Sequence, residues 1–79
     1  MVEFLIGVDG GGTATRALVA RRNGPVIGQG RAGPSALGQG IAKAWAQIQV
    51  AIRRAFQAAD VATPAWDRCA LGAACCLGR

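Results

Sequence analysis

A short apolar segment runs directly into an aspartate, three consecutive glycines and a threonine. Residues 4–8 are apolar apart from a glycine and have the length of a buried strand. Residues 14–20 carry no helix cap and lead to Asn23-Gly24-Pro25, a turn signal, so they predict a second strand. The feature therefore predicts two strands joined by a turn of glycines.

The residue types in this turn suit a phosphate and a hard cation. Gly10, Gly11 and Gly12 allow positive φ and let a ligand approach the backbone, whose successive N–H groups can surround an anion. Asp9 is a candidate Mg²⁺ residue, acting through water, and the Thr13 hydroxyl can bind a phosphate oxygen. The turn is thus predicted to bind phosphate and magnesium. A plain hairpin turn without a ligand is the alternative.

Two other glycine motifs do not fit. The dinucleotide fingerprint G-x-G-x-x-G begins at Gly10 and Gly12, but its third glycine position holds Thr15. The P-loop spacing is met from Gly7 to Gly12, but Thr13 stands where that motif needs lysine. Both motifs also open a helix, whereas residues 14–20 predict a strand.

The run IGVDGGGT at residues 6–13 resembles the first phosphate motif of the actin–hexokinase–Hsp70 superfamily. Within that superfamily it is most similar to N-acetylglucosamine kinases and the related BadF/BadG/BcrA/BcrD-type ATPases. Gly33-Pro34-Ser35 follows the third predicted strand as in that family, and residues 35–45 resemble bacterial amino-sugar kinases. The resemblance extends to about Gly72.

The resemblance implies phosphoryl transfer from ATP-Mg²⁺ to glucosamine or N-acetylglucosamine. Asp9 would then serve Mg²⁺, the glycines and Thr13 would bind ATP phosphates, and Ser35 would contact the sugar. The family commonly has asparagine after this serine, whereas this chain has Ala36, which leaves the exact sugar open. The catalytic aspartate and the adenosine site are expected beyond residue 79. Asp60 and Asp67 fall in a connector and are not expected to be the base.

Two other functions remain open. One is a BadF/BcrA-type ATPase whose ATP hydrolysis drives electron transfer in a partner enzyme. The other is a small non-catalytic binding protein that retains the turn. The chain is expected to be a partial N-terminal nucleotide-binding lobe, residues 1–79, that lacks the second lobe and is inactive by itself.

The expected fold class is α/β with the order β-β-β-α-β. Strands are predicted at residues 3–9, 14–21, 26–31 and 68–74, the first three forming an antiparallel meander. A helix capped by Ser35 is predicted to run to Ala59, and the fourth strand would lie parallel to the first. By resemblance, this is the first half of a ribonuclease-H-like lobe. The predicted apolar stripe of the helix consists of Ile41, Trp45, Ile48, Ile52, Phe56 and Ala59.

Composition and charge exclude several classes of binding partner. The net charge is +5, but the arginines are scattered without interleaved aromatic residues, so no nucleic acid is expected. No segment approaches a membrane span and no signal peptide is recognisable, so a cytoplasmic location is expected. There is no histidine, and Cys69, Cys75 and Cys76 lack zinc-site or CxxC spacing. ATP and an amino sugar are the expected partners of the intact protein, and the sequence leaves a homodimer open.

Overall fold

The computed structural model describes residues 2–10, 12–34 and 40–73. The predicted order of three strands, a helix and a fourth strand is confirmed. The predicted boundaries of the strands are met to within one residue. The elements are β1 (Phe4–Gly10), β2 (Thr15–Arg21), β3 (Val26–Ala32), α1 (Ile41–Ala58), a single 3₁₀ turn (Trp66–Arg68) and β4 (Cys69–Ala73).

The four strands form one sheet in the order β3-β2-β1-β4. β1 pairs antiparallel with β2, which pairs antiparallel with β3, and β4 pairs parallel with β1. The carboxyl ends of β1, β3 and β4 consequently lie at the same edge of the sheet. The glycine turn after β1 and the loop after β3 both leave the sheet from that edge.

The core lies between one face of the sheet and α1. Alternate residues of β1 and β2 point to this face, as the period of a strand requires, and they are buried. The rings of Phe4 and Phe56 meet edge to face, with centroids 5.3 Å apart and an interplanar angle of 89°. The buried core consists of Phe4, Ile6, Val8, Ala17, Val19, Ile48, Ala51, Ile52, Ala55 and Phe56.

The backbone of α1 packs directly on the backbone of β3. A Cβ atom added to Gly28 would lie 2.1 Å from the carbonyl oxygen of Ala55, and one added to Gly30 would lie 2.2 Å from that of Ala51. Real Cβ atoms do not come so close, so these two strand positions require glycine. Ala51 and Ala55 are themselves fully buried. The contact therefore joins two glycines of a strand to two alanines spaced four residues apart on a helix.

The apolar stripe predicted for the helix is correct in its second half and wrong in its first. Ile48, Ile52 and Phe56 are buried, but Ile41 is 77% exposed and Trp45 is 40% exposed. Ala44, in the first turn, is only 2% exposed, so the start of α1 does face the core, but through a small side chain. Ile41 and Trp45 therefore lie to one side of the buried row formed by Ala44, Ile48, Ala51 and Ala55, because the buried face of α1 is rotated from the predicted stripe.

Both ends of α1 differ from simple capping. Its N-cap is Gly40, with φ 104° and no side-chain cap, so α1 is not capped by Ser35 as predicted. At the other end, Asp60 takes φ 58°. The Asp60 N–H donates to the Gln57 carbonyl and the Val61 N–H to the Phe56 carbonyl, each at 3.0 Å, which is a Schellman motif. Asp60 therefore ends the helix.

α1 is 18 residues long. No helix in the described ranges combines the length and the apolar character needed to cross a membrane.

We predict that Gly30→Ala lowers the free energy of unfolding by about 1–3 kcal/mol, the usual cost of overpacking. The new methyl group would overlap backbone atoms of Ala51 and Ala55, which cannot rotate away. Urea unfolding measures the change. Gly7→Ala is the control, because a Cβ there meets nothing within 4 Å. Equal stability of the two variants would contradict the backbone contact.

An exposed ion pair joins the starts of β1 and β4. Arg68 donates a side-chain hydrogen bond to Glu3, which holds the pKa of Glu3 below its ordinary value of 4.5. A depressed carboxyl pKa stabilises the fold above about pH 4.5, and the contribution is lost as pH falls through the folded pKa. Solvent screening keeps this contribution small.

We predict that Arg68→Gln raises the pKa of Glu3 toward 4.5, because the hydrogen bond from Arg68 is the largest cause of the depression. An NMR titration of the Glu3 carboxyl measures it. Arg53→Gln removes an equal charge from the exposed side of α1 and should leave that pKa unchanged. A Glu3 pKa unaffected by Arg68→Gln would refute the assignment.

Candidate phosphate-binding site

The glycine turn occupies the carboxyl edge of the sheet. Asp9 and Gly10 are the last residues of β1, and Thr15 is the first residue of β2. The side chain of Asp9 is 71% exposed, which leaves its carboxylate accessible. A cleft of about 290 Å³ opens here. It is lined by Asp9, Gly10, Thr13, Ala14, Thr15, Arg16 and Arg31.

The glycines of the turn leave open space. Gly40 is the glycine with positive φ among the described residues, so the positive φ expected for the turn is not found at Gly10 or Gly12. A Cβ added to Gly12 would meet nothing within 4 Å. Contacts among the described residues therefore do not require glycine at this position, and they leave the space beside Gly12 open. Gly11 lies outside the described residues.

A buried threonine ties the start of β2 to the loop after β3. Thr15 is fully buried, and its Oγ1 donates a 2.7 Å hydrogen bond to the Gly33 carbonyl. The Gly33 N–H donates in turn to Oε1 of Gln47 on α1, at 2.8 Å. Both polar groups of the Gly33 backbone are thus bound by side chains. The sequence analysis missed Thr15 and Gln47, although a threonine among the inward-facing positions of β2 is the signal that could have revealed the first.

This link brings two of the predicted site segments together. The turn that follows Asp9 and the loop that begins at Gly33 lie at the same edge of the sheet. Thr15 connects them, because it pairs with Ala32 in the sheet and donates a hydrogen bond to the Gly33 carbonyl. Ser35, the predicted sugar contact, lies two residues beyond Gly33 and outside the described residues.

The charges at this edge form a row across three strands. Asp9 is the register partner of Arg16, and Arg16 is the register partner of Arg31. Nη2 of Arg16 lies 3.9 Å from Oδ2 of Asp9, and both side chains are largely exposed. The sequence analysis treated these arginines as scattered charges, because only the register of the sheet places them side by side.

The residues present suit Mg²⁺ held mainly by water and phosphate. The described part of the chain contains no group of three or more His, Cys, Asp or Glu residues that could form a protein metal cage. Mg²⁺ commonly keeps several waters and binds through one or two carboxylates together with substrate phosphates. An exposed Asp9 beside an open glycine turn fits that mode.

The described cysteine lies away from this edge. Cys69 begins β4, and its Sγ is 3.7 Å from the Ala65 carbonyl oxygen. Burial raises the pKa of the Cys69 thiol, which disfavours the reactive thiolate. Cys75 and Cys76 lie outside the described residues.

Comparison with known proteins gives two matches to report. The model of the BadF/BadG/BcrA/BcrD ATPase family matches residues 6–75. The crystal structure described as "Putative N-acetylglucosamine Kinase from Chromobacterium violaceum" aligns with a TM-score of 0.92 and 38% identity, over 98% of this chain and 27% of that one. The chain thus spans about a quarter of the length of that protein. No curated protein matches the chain.

We predict that Thr15→Val lowers the free energy of unfolding by about 1–2 kcal/mol. The substitution keeps the volume but leaves the Gly33 carbonyl without its donor. Urea unfolding measures the loss, and hydrogen exchange at the Gly33 amide should become faster. Thr63→Val, at an exposed threonine, is the control. Wild-type exchange at Gly33 in Thr15→Val would show that the link does not hold the loop.

Proposed function

The chain belongs to the BadF/BadG/BcrA/BcrD ATPase family, and we propose that it is the phosphate-binding start of an ATP-dependent amino-sugar kinase. The observation that carries the proposal is the exposed Asp9 before an open glycine turn, at the same sheet edge as the loop after β3. The alignment with the Chromobacterium violaceum protein supports the choice of a kinase. In this proposal, residues 1–79 form part of an N-terminal lobe and are inactive by themselves.

The proposal assigns a role to each residue of the turn. Asp9 binds the water shell of Mg²⁺, since its carboxylate is exposed and only weakly paired with Arg16. The backbone N–H groups of Gly10, Gly11 and Gly12 and the hydroxyl of Thr13 bind phosphate oxygens. Bound Mg²⁺ neutralises charge on the transferring phosphate, which phosphoryl transfer needs more than covalent help.

The sugar is assigned to the loop after β3. Ser35 would bind a sugar hydroxyl or the amino substituent. The hydrogen bonds from Thr15 and to Gln47 fix the Gly33 backbone, two residues before Ser35. The distance between the phosphate turn and the sugar-binding loop would thus be set by β2 and α1, and correct distance is a large part of phosphoryl-transfer catalysis. The general base and the adenosine site are assigned to chain beyond residue 79.

We predict that Asp9→Asn in the full-length protein lowers kcat for glucosamine or N-acetylglucosamine by on the order of 10²-fold or more. The amide keeps the size of the side chain but loses the charge that attracts Mg²⁺. A Mg²⁺-dependent coupled assay measures the rate. Asp67→Asn changes an exposed acid outside the site and serves as the control. Wild-type kcat in Asp9→Asn would remove Asp9 from the mechanism.

The same assay separates the kinase from the other activity of this family. Sugar phosphate formed in proportion to the ATP consumed would support the kinase. ATP hydrolysis without sugar phosphate would support an ATPase, the activity in the name of the family, and with it the alternative of an ATPase that acts on a partner enzyme. Either result would retain the role proposed for the glycine turn.

A further inference from the structure

We propose that Arg16 and Arg31 form an anion subsite that binds phosphate oxygens of the nucleotide beside the glycine turn. The inference rests on the proposed use of a nucleotide and adds two binding residues to it. It names the polyphosphate, rather than the sugar, as the group that these arginines contact.

The first argument is placement. Asp9 pairs with Arg16 and Arg16 pairs with Arg31, so the three residues form one row across β1, β2 and β3. Directly paired residues of antiparallel strands point to the same face. This face is opposite to α1, because the alternate residues of β1 and β2 are the ones buried under the helix. Both arginines line the same cleft as Gly10 and Thr13.

The second argument is charge. Like charges placed directly opposite each other in an antiparallel pair repel, and Arg16 and Arg31 are such a pair. The single acid in the row is Asp9, 3.9 Å from Arg16. Arg31 has no ion-pair partner among the described residues. The edge therefore carries surplus positive charge, and an anion bound between the two guanidinium groups would relieve their repulsion.

The third argument is that the backbone beneath Arg31 is held in place. Nη1 of Arg54 on α1 donates a 2.7 Å hydrogen bond to the Arg31 carbonyl oxygen. Two residues later, Gly33 is held by Thr15 and Gln47. The chain that carries Arg31 is thus positioned from the helix side while its side chain remains exposed on the other face. The planar fork of a guanidinium on a fixed backbone suits bidentate binding of phosphate oxygens.

The Asp9–Arg16 pair does not prevent either residue from binding a ligand. An exposed pair at this distance is weak. If Asp9 binds the water shell of Mg²⁺, the guanidinium of Arg16 becomes available to a phosphate oxygen. The row then presents one cation-binding carboxylate and two anion-binding guanidinium groups, which are opposite in charge to the metal and the phosphates of a magnesium polyphosphate complex.

The test measures binding of inorganic tripolyphosphate with Mg²⁺ to the full-length protein by calorimetry. Arg16→Gln and Arg31→Gln are each expected to weaken binding about 3- to 10-fold, the effect of losing one exposed charge-assisted contact. Arg22→Gln is the matched control, since it removes the same charge just beyond the opposite end of β2 and should change the affinity less than about 2-fold. Thermal melting establishes that each variant is folded.

An Arg31→Gln variant that binds tripolyphosphate as well as Arg22→Gln does would overturn the subsite. If Arg31→Gln does not fold, Arg31→Lys keeps the charge and tests the geometry. It should bind more weakly than wild type, and unchanged affinity in it would overturn the bidentate contact.

The outcome is separable from the kinase proposal. Loss of tripolyphosphate binding in a protein that makes no sugar phosphate would leave the subsite standing and refute the kinase. Normal sugar phosphorylation by Arg31→Gln with a wild-type KM for ATP would support the kinase and refute the subsite.

Discussion

The contact of the α1 backbone with the β3 backbone determines the rest of this structure. Because Gly28 and Gly30 have no Cβ, the helix approaches the strand until the carbonyl groups of Ala51 and Ala55 lie where side chains would otherwise be. That approach places Gln47 within reach of the Gly33 N–H and Arg54 within reach of the Arg31 carbonyl. The end of β3 is consequently positioned by the helix, and the loop toward Ser35 starts from a fixed point.

Buried contacts and exposed charges have different roles at the carboxyl edge of the sheet. The scaffold is held by the buried apolar core and by the buried hydrogen bond of Thr15. The net contribution of such a hydrogen bond to stability is about 1 kcal/mol. The charged residues Asp9 and Arg16 face solvent, where a pair contributes about 0–1 kcal/mol. The exposed charges can therefore exchange partners with a ligand while the fold stays intact.

The sequence was sufficient for the strands, their order and the placement of the glycine turn. The strands could be predicted because the apolar run of β1 is short and because turn residues separate the elements. The helix start was misplaced, because Gly40 caps α1 without any side-chain signal. Ile41 and Trp45 were assigned to the core because periodicity was counted on large apolar residues, whereas the face that meets the sheet includes the small residues Ala44, Ala51 and Ala55.

Other features could not be reached from the sequence in principle. The Arg16–Arg31 row depends on the register of β2 with β3, which includes an irregularity between Val19 and Ala20. The role of Gln47 depends on how closely α1 packs on β3, and a single polar residue on a helix does not predict that distance. Ser35 and Gly11 lie outside the described residues, so their predicted roles stay predictions.

The glycines of this chain fall into two groups that would drift differently among relatives. Gly28 and Gly30 face a helix backbone, so any side chain there would separate the layers regardless of what the protein binds. A Cβ at Gly12 would meet nothing within 4 Å, so contacts among the described residues do not require glycine there. A relative could therefore replace Gly12 without disturbing these contacts, but could not replace Gly28 or Gly30. Substitution at Gly28 or Gly30 would indicate loss of the packed domain, whereas substitution at Gly12 would indicate a change in what the turn binds.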